Sequence, residues 1–187
     1  LETPDATVSI LPFLYERVGH ERRIARRRGI TMNINVLRSE STGSIHIKSA
    51  DPAEPPAIRF NFLSARADRE RLLAAIRKGR ELMAASPLKE MTGEEIAPGA
   101  HLQSDEELLE WVRNNAETTY HPVGTCKMGA DPMAVVDNEL RVHGLQGLRI
   151  ADASIMPTLT SGNTNAPCIM IGEKCAEMVL AAAGAQG

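Results

Sequence analysis

The period of the hydrophobic residues changes at Ser64, and this change constrains the fold more than any other feature of the sequence. Before it, apolar and polar residues alternate in four short segments, which predicts β-strands at 7–11, 30–36, 45–47 and 57–61. Turn-forming residues at 41–44 lead us to expect that the second and third strands form a hairpin with a longer loop. After Ser64 the apolar residues have helical spacing, which predicts a helix from Asp68 to Ala85.

Two further helices are indicated by their first residues. Ser104-Asp105-Glu106-Glu107 has the form of a capping box, in which a hydroxyl and a carboxylate satisfy two backbone amides at the helix start. A last helix is predicted from about Ala166 to Leu180, with Pro167 in its first turn, where a missing amide hydrogen does no harm. Strands followed by helices predict an α+β fold with an antiparallel or mixed sheet and flanking helices.

An arginine-rich stretch runs from Glu16 to Arg28 and contains Arg22, Arg23, Arg26, Arg27 and Arg28. It could bind phosphate groups or lipid headgroups. We favour a solvated loop or a ragged helix, because runs of charge are usually solvated surfaces.

Composition narrows the class of protein. With 43% hydrophobic and 24% charged residues among 187, the chain resembles an ordinary globular domain, which argues against long disorder, collagen and disulfide scaffolds. A net charge of −3 argues against nucleic acid as a partner. The sequence contains no run of 18 apolar residues, so we expect no transmembrane segment. Three cysteines, an odd number, indicate a reducing compartment such as the cytoplasm.

The densest polar cluster lies between Thr118 and Gly129 and contains His121 and Cys126. A histidine before a proline has an extended backbone, and imidazole ordinarily titrates near physiological pH, so His121 suits a general acid or base. On spacing alone, a structural histidine is the more common case. A Cys–His nucleophile pair is another alternative, although Cys126 has no evident third partner. The spacing matches no usual zinc pattern, so we expect no metal site.

A second polar cluster follows the predicted strand Leu148–Ile150, beginning at Asp152 and ending at the start of the last helix. Helix N-termini favour phosphate and other ligands with negative charge. An equally good interpretation is a well-capped helix with Asn165 as its cap.

Several ordered motifs lie between Thr118 and Leu180. They are Tyr120-His121-Pro122-Val123-Gly124-Thr125-Cys126-Lys127-Met128-Gly129, Val136-Asp137, Arg141-Val142-His143-Gly144, Leu148 to Pro157, Gly162-Asn163-Thr164-Asn165-Ala166-Pro167 and Met170 to Lys174. Together they resemble the C-terminal signature of the glucose-methanol-choline (GMC) oxidoreductases, in the branch of the choline and alcohol dehydrogenases.

The resemblance implies flavin chemistry. Family members bind FAD and move a hydride from an alcohol carbon to flavin N5, so the whole protein would oxidise choline or another small primary alcohol to an aldehyde. Matched residue by residue, His121 is similar to the family's catalytic histidine and Asn163 to its partner. Asp152 and Ala153 are similar to the strand-end contact with the FAD pyrophosphate and ribityl chain. Thr164 and Asn165 are similar to further cofactor contacts.

The resemblance also implies a division of the chain. Residues 1–117 would form a substrate-binding region, and residues 118–187 a catalytic and FAD-contacting segment with the last strand and helix of an FAD-binding domain. The family's glycine-rich fingerprint for the FAD pyrophosphate is absent from this sequence, which begins at Leu1 rather than at a methionine. We therefore expect a fragment whose partner is the N-terminal FAD-binding half of the same chain.

Three matters stay open at this stage. The electron acceptor is undecided between oxygen, as in an alcohol oxidase of the same family, and a quinone or another acceptor. A non-catalytic α+β module that keeps the motifs only as fold is the alternative from a different class. The location is either free in the cytoplasm or peripheral to the inner membrane.

Overall fold

Residues 3–18 and 21–184 are described by the computed structural model, and they divide into two units. The first unit consists of the described residues up to Ser41 together with Leu63–Glu117, and the second of Thr42–Phe62 together with the described residues from Thr118 onward. The chain changes unit between 117 and 118. Residues 42–62, which the sequence assigns to the first region, lie in the second unit.

The strands of the first unit form two antiparallel pairs. They are β1 Ala6–Leu11, β2 Tyr15–Val18, β3 Glu21–Ile24 and β4 Thr31–Val36. β1 pairs with β4, and β2 pairs with β3. The strands predicted at 7–11 and 30–36 are confirmed, with ends that differ by one residue.

The prediction of a loop or ragged helix for the arginine-rich stretch is wrong up to Ile24, while residues 25–28 do form a loop. Part of it forms the β2–β3 hairpin, in which Glu16 faces Arg23, while residues 19 and 20 lie outside the described residues. Arg23 also forms an exposed ion pair with Glu21. These strands have only four residues each, which is too few to show the alternation of apolar and polar residues by which a strand is recognised.

Helices α1 Arg66–Ala84, α2 Leu88–Met91 and α3 Asp105–Asn115 complete the first unit. The two longer helices confirm the sequence prediction, and α3 has both hydrogen bonds of the predicted capping box between Ser104 and Glu107. Buried side chains of α1 and α3 form one core: Leu73, Ile76, Leu108 and Val112.

The start of α1 is capped by a segment that is distant in sequence. Asp68, 1% exposed, accepts hydrogen bonds from the Ser39 hydroxyl at 2.6 Å, from Glu40 N at 2.9 Å and from Ser41 N at 2.7 Å. The Ser41 hydroxyl donates to Asp68 and accepts from Ala65 N at 3.1 Å. We call these five residues the Asp68 cluster. The cluster satisfies the amide of Ala65, the residue before α1, with a hydroxyl from 24 positions earlier in the chain.

Two effects act on the pKa of Asp68 in opposite directions. Burial raises this pKa, while hydrogen bonds from the Ser39 and Ser41 hydroxyls and from the Glu40 and Ser41 amides lower it. The hydrogen bonds prevail, and the pKa lies below its ordinary value. Asp68 is therefore a charged acceptor at neutral pH, which strengthens each bond of the cluster.

The second unit begins with a hairpin of β5 Ser44–His46 and β6 Ala57–Arg59, in which Ile45 faces Ile58. The predicted hairpin between 30–36 and 45–47 is therefore wrong, since β4 pairs with β1 and β5 pairs with β6. Alternation shows which face of a strand is apolar but does not identify its partner. The segment after β4 is bound to Asp68 instead of turning back along β4.

The remainder of the second unit contains a 3₁₀ turn at Ala153–Ile155 and helix α4 at Asn165–Gly184. The predicted strand at Leu148–Ile150 is reduced to an isolated bridge between Arg141 and Arg149. The core of this unit comprises Val136, Leu140, Ile155, Met156 and Ile171. None of the helices in the described part of the chain has the length and apolar character that a membrane crossing requires.

Candidate active site

The loop at 120–129 is held against the 3₁₀ turn by backbone hydrogen bonds. Cys126 N donates to Ser154 O at 2.9 Å, and Met128 N donates to Ile155 O at 2.7 Å. Because Ile155 belongs to the core of the second unit, the loop has a fixed support.

Two glycines take part in the same support. Gly124 has a φ of 88°, and a Cβ there would lie only 3.3 Å from Met156 O, so the close approach of loop and turn favours glycine. At the end of the loop, Nε2 of His143 lies 3.1 Å from Gly129 O. The sequence analysis assigned no role to His143, and its spacing from the loop carries no signal of this contact.

His121 stands near the start of this loop with a half-buried side chain. Its Nδ1 lies 3.1 Å from Oγ1 of Thr164, a buried residue 43 positions later in the chain. Since Thr164 uses Nδ1, the other ring nitrogen, Nε2, is the one available to a ligand.

Asn163 immediately precedes the residue that bonds to His121. Its side chain is exposed, and within the described part of the chain it makes no side-chain hydrogen bond. An amide in this state can both donate to and accept from a bound hydroxyl group. The bond between His121 and Thr164 thus brings the loop to the segment that carries Asn163.

Asp152 and Ala153 lie at the 3₁₀ turn rather than at the end of a strand. Asp152 Oδ1 accepts from Ser154 N at 2.7 Å and so caps the turn, while the side chain as a whole stays exposed. Ala153 is half-buried against the core of the second unit. Both residues therefore lie on the turn that supports the His121 loop.

Asn165 is the first residue of α4 and is exposed. The interpretation of Asn165 as the helix cap is corrected, because the residue before the helix is Thr164, whose carbonyl accepts from Cys168 N at 3.0 Å. The hydroxyl of Thr164 bonds to His121. Sequence analysis missed this bond, since nothing in a local pattern joins residues so far apart.

Cys126 is not hydrogen-bonded to His121 in the described part of the chain. Its side chain is half-buried. Within residues 3–18 and 21–184 no group of three or more His, Cys, Asp or Glu side chains is placed to hold a metal ion.

Comparison with known proteins agrees with the motifs. The sequence model of the family described as GMC oxidoreductase matches residues 39–172. The oxygen-dependent choline dehydrogenase of Escherichia coli O127:H6 is 53% identical over 154 residues, which cover 82% of this chain and 28% of that protein.

Solved structures are similar to this chain as well. Pyridoxine 4-oxidase from Mesorbium loti matches 93% of this chain with a TM-score of 0.83 and 29% identity, over 34% of its own chain. Formate oxidase of Aspergillus oryzae, in a structure that concerns the effect of a mutation on FAD modification, matches 81% with a TM-score of 0.76 and 32% identity. That match covers 27% of the formate oxidase chain.

Proposed function

The chain belongs to the GMC oxidoreductase family, and on this premise we propose that it is the C-terminal part of an FAD-dependent enzyme that oxidises a primary alcohol to an aldehyde. The observation that carries the proposal is the supported loop that presents His121 beside the segment of Asn163, with Thr164 joining the two. The chain spans 28% of the length of the choline dehydrogenase it matches, which supports its being one part of a longer enzyme.

FAD is the cofactor expected in the full-length protein, and when bound it supplies flavin N5 as the acceptor of a hydride from the alcohol carbon. The groups around α4 fit such a ligand. The N-terminal amides of this 20-residue helix favour electron-rich oxygens, and no atom lies within 4 Å of a Cβ placed on Gly162, so the backbone there is open. The residues proposed to contact FAD are Asp152, Ala153, Thr164 and Asn165.

The side chains of Asp152 and Asn165 suit different parts of FAD. The Asp152 carboxylate suits the hydroxyls of the ribityl chain better than the pyrophosphate, because like charges repel. Asn165 offers an exposed amide at the helix start, next to the amides that suit the flavin oxygens.

We assign His121 the removal of the hydroxyl proton from the alcohol. Negative charge develops on the alcohol oxygen as that proton leaves, and a positioned imidazole can accept it at Nε2. The half-buried position of the ring limits competition from water, while its bond to Thr164 keeps its orientation.

We assign Asn163 a hydrogen bond to the same oxygen. The bond strengthens as charge develops on that oxygen, so it stabilises the transition state more than the bound alcohol. The exposed amide, with donor and acceptor both available, supports this role.

Choline is the substrate we propose first, because the relative at 53% identity is a choline dehydrogenase. A quaternary ammonium is recognised by aromatic rings and a carboxylate. This chain has six aromatic residues: Phe13, Tyr15, Phe60, Phe62, Trp111 and Tyr120. Tyr120 is 76% exposed and adjacent to His121, so it is the member we propose to contact substrate. The other walls of the pocket would come from the rest of the enzyme.

Oxygen is the electron acceptor we propose, since the name of the bacterial relative includes oxygen dependence and the two solved structures are oxidases. The contrary hypothesis is a non-catalytic module in which the motifs serve only the fold. Flavin colour in the purified full-length protein separates this module from an enzyme.

The proposed location is the cytoplasm, either free or at the surface of the inner membrane, and cell fractionation tests it.

The decisive experiment measures anaerobic flavin reduction by choline in the full-length enzyme. His121→Ala should slow it by roughly 100-fold or more, the range for a positioned acid–base group, with flavin content near that of the wild type. His101→Ala, an exposed histidine of the first unit, is the matched control and should keep the wild-type rate. A His121→Ala enzyme that reduces its flavin at the wild-type rate would return His121 to a structural role.

A further inference from the structure

The Thr164 hydroxyl is the hydrogen-bonding partner of the His121 ring. Oγ1 and Nδ1 are 3.1 Å apart, and Thr164 is 7% exposed, so water has little access to the hydroxyl. A buried hydroxyl without a partner is destabilising. The geometry therefore ties the orientation of the His121 ring to Thr164.

Local sequence removes one competitor for this hydroxyl. Thr164 stands at the cap position of α4, where a hydroxyl usually accepts from the amide of the second or third helical residue. The third residue is Pro167, which has no amide hydrogen. The Thr164 carbonyl accepts from Cys168 N, so the backbone provides the first helical bond while the hydroxyl bonds to His121.

The bond can have either direction. If the hydroxyl donates to Nδ1, the neutral ring carries its hydrogen on Nε2 and has no lone pair there. If Nδ1–H donates to the hydroxyl, Nε2 has its lone pair free. After the ring takes up a proton, both nitrogens carry hydrogen, and Nδ1 can only donate. The direction of the bond is therefore the same before and after proton transfer only if Nδ1–H donates to the Thr164 hydroxyl.

We propose that Thr164 is a positioning residue that accepts a hydrogen bond from Nδ1–H of His121 and so keeps Nε2 free to take the alcohol proton. This inference rests on the proposed function of His121. It also changes the role that the family resemblance implies for Thr164, because the hydroxyl is engaged by His121 and any contact with FAD is left to the Thr164 backbone.

The test substitutes Thr164 and records the tautomer of His121 directly. In full-length enzyme with ¹⁵N-labelled histidine, long-range ¹H–¹⁵N spectra distinguish a protonated from an unprotonated ring nitrogen, and His121→Ala assigns the signals. The wild type and Thr164→Ser should show hydrogen on Nδ1. Thr164→Val, which has nearly the same shape but no hydroxyl, should shift the signals toward hydrogen on Nε2.

The same variants are compared in anaerobic flavin reduction. Thr164→Val should slow reduction by roughly 10-fold or more, since a group that orients a catalytic histidine has effects of at least this size, and Thr164→Ser should recover most of the rate. Thr160→Val is the matched control, because Thr160 bonds to Gly162 O at 3.2 Å rather than to His121. It should leave both the tautomer and the rate unchanged.

The outcomes separate the two proposals. Hydrogen on Nε2 in the wild type, or a Thr164→Val spectrum identical to that of the wild type, would overturn the role of Thr164 even if His121→Ala is inactive. An active His121→Ala enzyme would overturn the proposed function itself. Should Thr164→Val lose flavin or fail to fold, the wild-type and Thr164→Ser spectra alone decide the direction of the bond.

Discussion

One polar group in each unit is buried or half-buried, and the two groups are satisfied in different ways. Asp68 in the first unit accepts bonds from the hydroxyls and amides of Ser39, Glu40 and Ser41, and it also lies beside Arg71. The His121 ring in the second unit has one hydrogen bond, to Thr164, within the described part of the chain.

The difference indicates what each site does. A carboxylate whose acceptor sites are filled by its own chain has little left for a ligand, and it stabilises the fold. A ring that keeps one nitrogen available, bonded to the residue that follows Asn163, contributes less to folding and is able to offer a hydrogen bond to a bound molecule. Proposed catalysis and stability therefore depend on separate residues, which substitution can test.

The largest expected effect is on the stability of the first unit. Asp68→Ala removes the common acceptor of the Asp68 cluster and should lower the free energy of unfolding by about 3–5 kcal/mol, as for other broken buried charge networks. Urea denaturation of the full chain, with hydrogen exchange of the α1 amides, measures it. Asn163→Ala is the control and should change stability by less than about 0.5 kcal/mol. Equal losses in the two variants would refute the division of roles.

The next effect concerns Asn163, whose substitution should change the rate of flavin reduction rather than the stability of the chain. Asn163→Ala should slow anaerobic flavin reduction. The lost stabilisation of the transition state should be smaller than the about 2.7–4 kcal/mol of an isolated oxyanion donor, because in the proposed mechanism His121 still contacts the oxygen. Apparent substrate affinity should change less than the rate, and Asn163→His should retain part of the rate. If both variants lose flavin while the rate per bound flavin is unchanged, Asn163 only shapes the turn before α4.

Acid should weaken the first unit through Asp68. Its pKa is lower in the folded chain than in the unfolded one, so the stabilisation is present above the unfolded pKa of about 3.9 and is lost as pH falls through the folded pKa. The free energy of unfolding, measured from pH 6 down to pH 2, should fall less steeply for Asp68→Asn than for the wild type. Parallel curves for the two proteins would show that Asp68 does not carry the acid sensitivity.

The smallest expected effect comes from comparing the cap of α3, which is local in sequence, with that of α1, which is distant in sequence. Ser104→Ala removes the hydroxyl of the capping box of α3 and should cost about 1 kcal/mol in thermal or urea denaturation. Ser64→Ala, just before α1, is the control, because the cap of α1 comes from Ser41 and not from a neighbouring side chain. A Ser64→Ala variant that loses as much stability as Ser104→Ala would contradict this assignment.

The elements that sequence predicted well are those whose signals are local. The apolar spacing of α1 and the capping box of α3 depend on residues within a few positions, and both helices lie where predicted. Strand partners depend on distant residues. The pairing of β1 with β4 and of β5 with β6 is therefore invisible to a pattern that reports only which face is apolar.

The candidate site shows the same limit. Motifs pointed to His121 and Asn163, and their catalytic roles stay predictions. The bond between His121 and Thr164 spans 43 positions, so only the folded chain shows it. Asp152 was expected at a strand end and lies on a 3₁₀ turn, because the preceding apolar piece forms a single bridge rather than a ladder.

The assignment of 42–62 to the second unit gives the chain an order of assembly. Ser41 and Leu63, on either side of this segment, both belong to the first unit, so the second unit is made of two separate stretches of the chain with residues 63–117 between them. During synthesis the first unit can close once Glu117 has left the ribosome, and looping out the β5–β6 hairpin adds only a logarithmic entropy cost. The second unit must wait for the last part of the chain. An expression boundary placed between 117 and 118 would divide it, and would leave the hairpin on one product and α4 on the other.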